Sequence, residues 1–367
     1  MNMHAAVLRD HSLSMTIECV GVDEPRADEV LVRVVASGIC HTDIKVAQVP
    51  GLSPRPIVLG HEGSGIVEKV GGQVRKLAPG DPVVLTFDSC GRCPTCISGK
   101  PSYCYEVAAV CFGGKRLDGS TTLSCDHRPL HGNFFGQSSF ATYAIANERN
   151  AIKVRADAPL ELLGPLGCGL QTGAGAVLNS LRVGAGASIA IFGAGAVGLS
   201  AVMAARIAGA SKIFAIDVVD ERLALARELG ATHVIDGRKQ DALAQIIAAT
   251  GRGSDFSIDT TAVDAVVKQA VDCVGPLGTC GLIANKGPTQ NAQVNILGSM
   301  LRGRTIRGIV QGDSVPDIFI PRLVDFFMAG KFPFDRLVKF YPFEEIDKAM
   351  HDAETGLTIK PILRMVG

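Results

Sequence analysis

Four cysteines in one short segment restrict the fold of this chain more than any other feature. Cys90, Cys93, Cys96 and Cys104 follow the spacing Cys-x2-Cys-x2-Cys-x7-Cys in a stretch that also contains glycine, proline and lysine. Gaps of two residues allow one loop to direct successive thiolates at a common centre about 2.3 Å away, as tetrahedral zinc requires. The spacing therefore predicts a closed four-sulfur zinc site, which stabilises structure and leaves no coordination position open for catalysis.

Disulfides, core thiols and an iron–sulfur cluster are the alternatives to zinc for these four cysteines. Disulfides need an oxidising compartment, and the chain begins without the basic segment and long apolar segment of an export signal. Unpaired core thiols lie in apolar runs, whereas this segment is polar and rich in turn residues. An iron–sulfur cluster is the serious rival, because it also uses a Cys-x2-Cys-x2-Cys run. The spacing favours zinc and leaves this rival open.

Composition argues against several classes of function. Lys plus Arg and Asp plus Glu are balanced at 36 each, which leaves no electrostatic footprint for nucleic acid or for an anionic membrane surface. A length of 367 residues favours two domains. Abundant cysteine without an export signal points to the reducing cytoplasm. We expect most cysteines outside the loop to be buried thiols without a function, namely Cys19, Cys111, Cys125, Cys273 and Cys280.

A glycine motif forms the second local feature. The apolar strand Ser188–Phe192 leads into Gly193, Gly195 and Gly198 in the pattern Gly-x-Gly-x-x-Gly, an apolar helix follows, and a second strand ends at Asp217. In a dinucleotide-binding turn the first glycine permits the tight turn and the second lets the backbone approach a pyrophosphate. The third lets the helix pack close to the strand. This context predicts a dinucleotide site, although an ordinary strand–helix–strand unit without nucleotide stays possible.

The acidic residue after the second strand favours NAD over NADP. Asp217 lies nineteen residues after Gly198, where a carboxylate can accept both ribose hydroxyls of the adenosine. A 2′-phosphate would face like-charge repulsion there, and the next residues, Val218 and Val219, supply no cation. Arg222 weakens this preference, since it is near enough in sequence to lean toward the ribose.

Alternating strand and helix patterns predict a six-stranded, doubly wound parallel sheet over about residues 170–310. The uncharged stretch 183–205 has the length of a membrane span, but its glycines favour a strand, a turn and a helix. The preceding region predicts a β-rich domain, because glycine and proline turns separate short strands. Those strands are expected at Val30–Ser37, Gly65–Val70, Pro82–Phe87 and Ser139–Ile145.

The predicted fold class is therefore α/β, with a doubly wound parallel sheet of the Rossmann type and a β-rich second domain. The β-rich domain is expected to comprise residues 1–169 together with 311–367, and the dinucleotide-binding domain residues 170–310.

Further candidate metal ligands are scattered along the chain. They lie in three short segments, which are residues 38–43 with Cys40 and His41, residues 60–63 with His61, and residues 164–169 with Cys168. Each segment alone is equally consistent with a buried thiol, a core histidine or a capping side chain. Because the segments are far apart, their spacing cannot unite them into one site.

These segments, the cysteine loop and the glycine motif, in this order, resemble the zinc-dependent alcohol dehydrogenases of the medium-chain dehydrogenase/reductase family. The resemblance covers essentially the whole chain and implies a GroES-like fold for the β-rich domain. Within the family the chain looks most similar to benzyl (aryl) alcohol dehydrogenases. Residues 132–140, 163–169 and 330–336 carry that closer match.

The resemblance implies a second, catalytic zinc. Cys40, His61 and Cys168 take the places of its protein ligands, which would leave a fourth position for water or substrate. Glu62 would lie behind the metal and ligate it transiently, and Asp43 would orient the ring of His61. The chain is accordingly expected to bind two zinc ions, one catalytic and one structural.

The same resemblance implies contacts to the substrate and the cofactor. Thr42 would hydrogen-bond the substrate oxygen and pass its proton on, and Lys45 occupies the place where several relatives carry a relay histidine. His41 and Lys360 would approach the cofactor phosphates. Thr172 and Val197 would pack against the nicotinamide. Phe87 and Phe134 would line the substrate pocket.

The predicted function is reversible, zinc- and NAD-dependent oxidation of a primary aromatic alcohol to its aldehyde by hydride transfer. An allylic or terpene alcohol of the geraniol or perillyl type is the alternative substrate. A non-catalytic NAD-binding zinc protein is the alternative from another class. The expected partners are the small alcohol or aldehyde and other copies of the chain, in a tetramer rather than a dimer, with the strand at Thr305–Val310 as a subunit contact.

Overall fold

The computed structural model describes residues 1–287 and 289–365, within which the chain forms two compact units. The first unit consists of Met1–Gly169, Val315–Ala329 and the residues from Phe334 onward. The second consists of Leu170–Ser314 and Gly330–Pro333. The predicted domain ranges also include positions 288, 366 and 367, which lie outside the described residues.

The strands are numbered along the chain as β1 (Asn2–Leu8), β2 (Thr16–Val22), β3 (Glu29–Gly38), β4 (Ile57–Val58), β5 (Glu62–Val70), β6 (Pro82–Leu85), β7 (Leu123–Cys125), β8 (Arg128–Leu130), β9 (Tyr143–Asn147), β10 (Ala151–Lys153), β11 (Ser188–Phe192), β12 (Lys212–Asp217), β13 (His233–Asp236), β14 (Ser254–Asp259), β15 (Val274–Leu282), β16 (Thr305–Gly308), β17 (Val338–Pro342) and β18 (Lys360–Arg364). The α-helices are α1 (His41–Gln48), α2 (Pro94–Ile97), α3 (Leu160–Leu163), α4 (Gly169–Gly175), α5 (Ala196–Ile207), α6 (Asp220–Leu229), α7 (Ala242–Thr250), α8 (Asp264–Asp272), α9 (Ile296–Arg302), α10 (Pro316–Met328) and α11 (Ile346–Glu354).

The first unit is built on two β-sheets. A five-stranded sheet has the order β4-β1-β2-β7-β8, and a seven-stranded sheet has the order β10-β6-β5-β3-β18-β17, with β9 also paired to β3. The long strand β3 is largely apolar and buried, so that it forms the centre of the second sheet and of the apolar core around it. Its end delivers the chain to Cys40 at the start of α1. The predicted β-rich domain is thereby confirmed.

One predicted strand is displaced. The strand expected at Ser139–Ile145 instead occupies Tyr143–Asn147. The amides of Ser139 and Phe140 donate to the carbonyls of Gly60 and Leu59, which are not part of a strand. The first residues of this segment therefore bond to the loop at Leu59 and Gly60, and the strand begins only at Tyr143.

The second unit contains the predicted parallel sheet. Its six strands have the order β13-β12-β11-β14-β15-β16, and every neighbouring pair is parallel. Helices connect the strands, as a doubly wound sheet requires. The central strand β11 is buried along its whole length, which explains its uninterrupted apolar sequence. This order reverses direction between β11 and β14, and ligands bind at such a reversal in open α/β sheets.

The uncharged stretch 183–205 contains β11, the glycine turn and most of α5, as the glycine pattern predicts. Across the described residues, no helix combines the length and the apolar composition that a bilayer crossing needs. The outermost strand β16 has only exposed side chains, including Ile306. This exposed edge coincides with the predicted subunit contact, and oligomerisation stays a prediction.

The second unit continues past the predicted boundary at residue 310. Residues 311–314 belong to it because Gly312 packs directly on Gly175, where a Cβ would lie 2.4 Å from the Gly312 carbonyl oxygen. Arg307 also pairs with Asp313. A boundary drawn from strand periodicity cannot detect these contacts, because Gly312 and Asp313 follow the last strand and lie in no strand or α-helix.

Candidate active site and metal centres

Asp43 joins two of the scattered segments in the first unit. Its Oδ1 accepts a hydrogen bond from His61 Nδ1 at 2.9 Å and another from the Gly60 amide at 3.2 Å. Its Oδ2 accepts from the Cys40 amide at 3.0 Å, in the manner of a capping box at the start of α1. The side chains of Asp43 and His61 are both completely buried. Because Nδ1 is committed to Asp43, the Nε2 atom is left as the ligand nitrogen.

Cys168 completes a cluster with Cys40, His61 and Glu62. One ligand atom from each of these four residues lies within 4.8 Å of the other three. Cys168 follows a tight turn at Gly164–Gly167, which packs so closely on β6 that a Cβ on Gly167 would lie 2.0 Å from the Leu85 carbonyl oxygen. The structure thus brings together the three segments that sequence spacing could not unite.

The chemistry of this cluster fits a zinc ion. His61 Nε2 is buried and has no hydrogen-bond partner among the described residues, although unpaired buried nitrogen is costly. A hydrogen bond from Cys168 lowers the pKa of Cys40 well below its ordinary value, and the same interaction raises the pKa of Cys168. Burial lowers the pKa of His61, but the Asp43 carboxylate outweighs burial and raises it. Metal binding here must therefore release protons.

Glu62 and Lys360 form a buried ion pair beside the cluster. Lys360 Nζ donates to the two carboxylate oxygens of Glu62 at 2.8 and 3.0 Å and to the Ile39 carbonyl at 3.0 Å. Burial lowers the pKa of Lys360, but attraction to Glu62 outweighs burial and raises it above its ordinary value. The Gly169 amide donates to Glu62 as well, at 3.2 Å. The carboxylate is therefore compensated without a metal bond.

This pair gives Lys360 a partner other than the expected cofactor phosphates, and its role toward the cofactor stays a prediction. The family resemblance places Lys360 at the cofactor phosphates, whereas the structure directs its ammonium group at Glu62 and leaves the side chain 3% exposed. A buried carboxylate needs a counter-charge, and Lys360 at the start of β18 supplies it.

The aromatic residues near His61 pack around its ring. Phe134, expected as a pocket wall, is 0% exposed and meets the His61 ring edge-on at a centroid distance of 5.5 Å. Phe135 stacks on the same ring at 4.5 Å, and Phe112 packs on both phenylalanines. Phe134 therefore packs against the histidine in the apolar core, and its expected place in the pocket wall stays a prediction. Phe87, the other expected wall, is buried in the same apolar core.

The four-cysteine loop forms a second cluster. One sulfur from each of Cys90, Cys93, Cys96 and Cys104 lies within 4.8 Å of the others. Backbone amides donate to these sulfurs, from Cys90 to Cys104 at 3.2 Å and from Cys93 to Cys90 at 3.3 Å. Such amides stabilise thiolates, as a four-sulfur metal site needs.

The remaining cysteines are Cys19, which is exposed, Cys125, which is half-buried, and the buried Cys111, Cys273 and Cys280.

The glycine motif in the second unit shows three distinct backbone requirements. Gly193 has φ of +95°, and a Cβ there would lie 2.3 Å from Thr260 Oγ1. A Cβ on Gly198 would lie 1.8 Å from the Gly193 carbonyl oxygen, so that α5 packs directly on the turn. A Cβ on Gly195 would meet nothing within 4 Å. Gly195 therefore borders open space at the N-terminus of α5, as a pyrophosphate-binding turn requires.

Asp217 lies at the end of β12 and faces this turn. Its carboxylate accepts a hydrogen bond from the Ala194 amide at 2.5 Å and from the amides of Val218 and Val219 at 2.7 and 3.0 Å. The turn and the acidic residue thus lie side by side, although nineteen residues separate Asp217 from Gly198. Arg222 is half-buried in the first turn of α6.

The other expected cofactor and catalytic residues are distributed over both units. In the first unit, His41 is exposed and Thr42 half-buried in the first turn of α1. In the second unit, Val197 lies in the first turn of α5, and the Thr172 hydroxyl donates to Gln311 Oε1 at 3.3 Å. These contacts do not test the roles of the four residues, which stay predictions.

Comparison with known proteins gives the family. A family model for the alcohol dehydrogenase GroES-like domain matches residues 26–156, and one for zinc-binding dehydrogenases matches residues 196–328. Geraniol dehydrogenase of Castellaniella defragrans is 49% identical over 365 residues, which cover 99% of this chain and 98% of the relative. The chain belongs to the zinc-dependent alcohol dehydrogenases of the medium-chain family. The alcohol dehydrogenase chemistry and the GroES-like domain expected from the motifs are thereby confirmed.

Solved structures of this dehydrogenase family agree with the fold. The crystal structure of an alcohol dehydrogenase zinc-binding domain protein from Burkholderia ambifaria is 53% identical, with a TM-score of 0.99 over 100% of both chains. That of benzyl alcohol dehydrogenase from Acinetobacter calcoaceticus is 45% identical, with a TM-score of 0.97 over 100% of both chains.

Sequence reasoning missed the supporting residues around His61. Gln137 is part of the segment 132–140 that resembles aryl alcohol dehydrogenases, and Phe135 in the same segment is interpreted from the sequence only as a sign of an aromatic or allylic substrate. The structure places Phe135 on the His61 ring and the Gln137 amide on the His61 carbonyl. The sequence does contain a signal for these contacts, because Gln137 and the two serines after it lie between phenylalanines. Polar residues within such an apolar segment need buried hydrogen-bond partners.

Substitution of two glycines in the turn should separate folding from cofactor binding. We expect Gly198→Ala to lower the free energy of unfolding by roughly 1–3 kcal/mol, since its Cβ would overlap the backbone. Gly195→Ala should change that free energy by less than about 0.5 kcal/mol, yet weaken nucleotide binding. Urea unfolding and fluorescence titration with NADH and NADPH measure both effects. Unaltered affinity of Gly195→Ala for both nucleotides would contradict the assignment of the turn.

Proposed function

We propose that this alcohol dehydrogenase reversibly oxidises primary alcohols whose reacting carbon adjoins an aromatic ring or a carbon–carbon double bond, with NAD as the hydride acceptor. The observation that carries the proposal is the convergence of Cys40, His61 and Cys168, whose ligand atoms lie within 4.8 Å of one another. Zinc held there would act as a Lewis acid on the substrate oxygen, and NAD would accept the hydride.

The residues of this chain prepare that chemistry before any substrate arrives. Asp43 keeps the proton of His61 on Nδ1 and presents Nε2 to the metal. Lys360 offsets the charge of Glu62, so that two thiolates and one imidazole define the ligand set and a fourth position stays open for substrate. Thr42, half-buried beside Asp43 in α1, would hydrogen-bond the alcohol and relay its proton, releasing its own hydroxyl proton toward the cofactor ribose as it accepts the one from the alcohol.

The substrate class is supported by two relatives of similar identity. One is named for geraniol and the other for benzyl alcohol. Geraniol is an allylic and benzyl alcohol a benzylic primary alcohol, so that both aldehydes are conjugated and the oxidation is easier. These names favour neither member of the pair, and we assign the shared class rather than the aromatic group alone.

A panel of matched alcohols tests the substrate class. We expect kcat/KM for benzyl alcohol and geraniol to exceed that for ethanol by at least about 10-fold, because an apolar pocket discriminates against missing methylenes. The counterparts without unsaturation next to the alcohol carbon, cyclohexylmethanol and citronellol, should react several-fold more slowly than benzyl alcohol and geraniol, since their aldehydes are not conjugated. Steady-state kinetics with NAD measures all five.

The panel separates two parts of the proposal. If ethanol has the highest kcat/KM, the class is wrong. If cyclohexylmethanol and citronellol have the same kcat/KM as benzyl alcohol and geraniol, respectively, the pocket selects apolar size and conjugation plays no part.

We also assign two zinc ions to each chain, one to each cluster. Metal analysis should find two zinc and no iron in the wild type. Cys168→Ser should retain about one zinc and lose activity, because the catalytic cluster loses a ligand. Cys96→Ser should also retain about one zinc but unfold more readily, because structural zinc contributes to folding. Cys19→Ser is the matched control and should retain both, since this exposed cysteine belongs to neither cluster. A single zinc in the wild type would favour a non-catalytic zinc protein.

The preference for NAD rests on Asp217. We expect wild type to use NAD with kcat/KM at least about 10-fold above that for NADP, because the carboxylate would repel a 2′-phosphate. Asp217→Ala should lower this ratio substantially. Asp220→Ala, an equal charge change at the exposed start of α6, is the control and should leave it nearly unaltered. An unaltered ratio in Asp217→Ala would exclude Asp217 as the selective residue.

A further inference from the structure

The loop that follows β8 has an unusual backbone. Asn133, Phe135 and Ser138 have φ of +60°, +52° and +54°, and Gly136 has +71°. Residues other than glycine seldom adopt a positive φ, and such conformations persist where surrounding contacts determine them. Asn150 Nδ2 donates to the Gly136 carbonyl at 3.0 Å, and Ser138 Oγ donates to the Val58 carbonyl at 2.7 Å and accepts from the Phe134 amide. These contacts hold the loop rigidly.

The rigid loop directs Gln137 into the backbone beside the catalytic cluster. Its side-chain Nε2 donates to the His61 carbonyl at 3.0 Å and to the Thr86 carbonyl at 3.1 Å. Its Oε1 accepts from the Gly63 amide at 3.0 Å. Gln137 is only 2% exposed. The side-chain amide of Gln137 thus bonds to three backbone groups, through both of its N–H hydrogens and its oxygen. Two of these groups, on His61 and Gly63, flank Glu62.

Thr86 carries the connection to the third metal-binding segment. Its carbonyl receives the bond from Gln137, and its own hydroxyl donates to the Gly167 carbonyl at 2.6 Å. Gly167 directly precedes Cys168. Two side-chain links, from Gln137 and from Thr86, therefore join the backbone of His61 to the backbone beside Cys168, within a completely buried part of the unit.

We propose that Gln137 is a positioning residue that fixes the separation of His61 and Cys168, with Thr86 as the intermediate, and thereby sets how tightly the catalytic zinc is held. The proposal rests on the metal site of the proposed function. An amide is required at this position because it can donate twice and accept once. A carboxylate would face two carbonyl oxygens. A thioether would leave the His61 carbonyl and the Gly63 amide without this partner, whereas the Thr86 carbonyl would keep its bond from Asn150 Nδ2 at 3.1 Å.

Zinc release from the holoenzyme to a chromogenic chelator tests this role without measuring turnover. We expect Gln137→Met and Gln137→Glu to release one zinc about 10- to 100-fold faster than wild type, the range for partners that orient metal ligands. Release of the other zinc should be unaltered, which gives an internal reference. Release from Cys168→Ser identifies the phase that belongs to the four-cysteine loop.

A matched control separates positioning from general loss of stability. Tyr341→Phe removes a buried hydroxyl of the same unit that bonds to Asp352 at 2.5 Å and Thr358 at 2.8 Å, and none of these three residues belongs to either cluster. Its zinc release should equal that of wild type. If Gln137→Met releases zinc no faster than Tyr341→Phe at matched thermal stability, the proposal is overturned.

Variants of Thr86 keep the test decisive if the Gln137 variants do not fold. Thr86→Val removes the hydroxyl that bonds to Gly167 and should release the catalytic zinc faster, whereas Thr86→Ser retains the hydroxyl and should behave as wild type. Equal rates for these two variants would contradict the link through Thr86. Absence of zinc from the wild-type cluster would instead refute the proposed function, so that the two failures are distinguishable.

Discussion

The hydrogen bonds of the Asp43 carboxylate determine the geometry on which the rest of the catalytic unit depends. This one side chain receives the Cys40 amide, the Gly60 amide and His61 Nδ1. It therefore sets the start of α1, the turn before β5 and the orientation of a ligand ring together. A completely buried carboxylate is tolerated only with such full compensation. The cost of burying Asp43 is offset by these hydrogen bonds, which also order two separate segments of the chain.

The buried charges around the cluster are arranged in pairs of different kinds. Asp43 is compensated by amides and an imidazole, and Glu62 by the ammonium group of Lys360. Buried pairs of this type contribute little net stability compared with apolar packing, but removal of one partner is strongly destabilising. Their effect is to fix one arrangement of the loops. The neutral aromatic cluster around His61 then excludes water from the side of the ring that the charges do not occupy.

The parts of this protein that could be predicted from sequence are those whose members are near neighbours in the chain. The four-cysteine cluster and the turn at Gly193, Gly195 and Gly198 follow from spacing, because loop geometry alone brings their groups together. The cluster of Cys40, His61 and Cys168 could be expected only through family resemblance. No periodicity indicates that β3, β5 and the turn before Cys168 meet.

The contacts of Lys360, Phe134 and Gln137 could not be predicted from the sequence for the same reason, since each depends on a partner far away in the chain. A lysine near a phosphate and a lysine on a buried carboxylate have the same sequence signature. A phenylalanine in a pocket wall cannot be told from one in the core behind it. Only the packed structure distinguishes these cases, because the deciding quantity is the identity of the nearest group.

The two clusters also differ in when they can form as the chain is synthesised. Every ligand of the four-cysteine loop lies between positions 90 and 104, so that this loop can close on a metal soon after it leaves the ribosome. The other cluster cannot close until Cys168 has emerged, and Glu62 lacks its counter-charge until Lys360 has been added near the end of the chain. One site is thus completed as a local event, whereas the other depends on segments that are synthesised almost 300 residues apart.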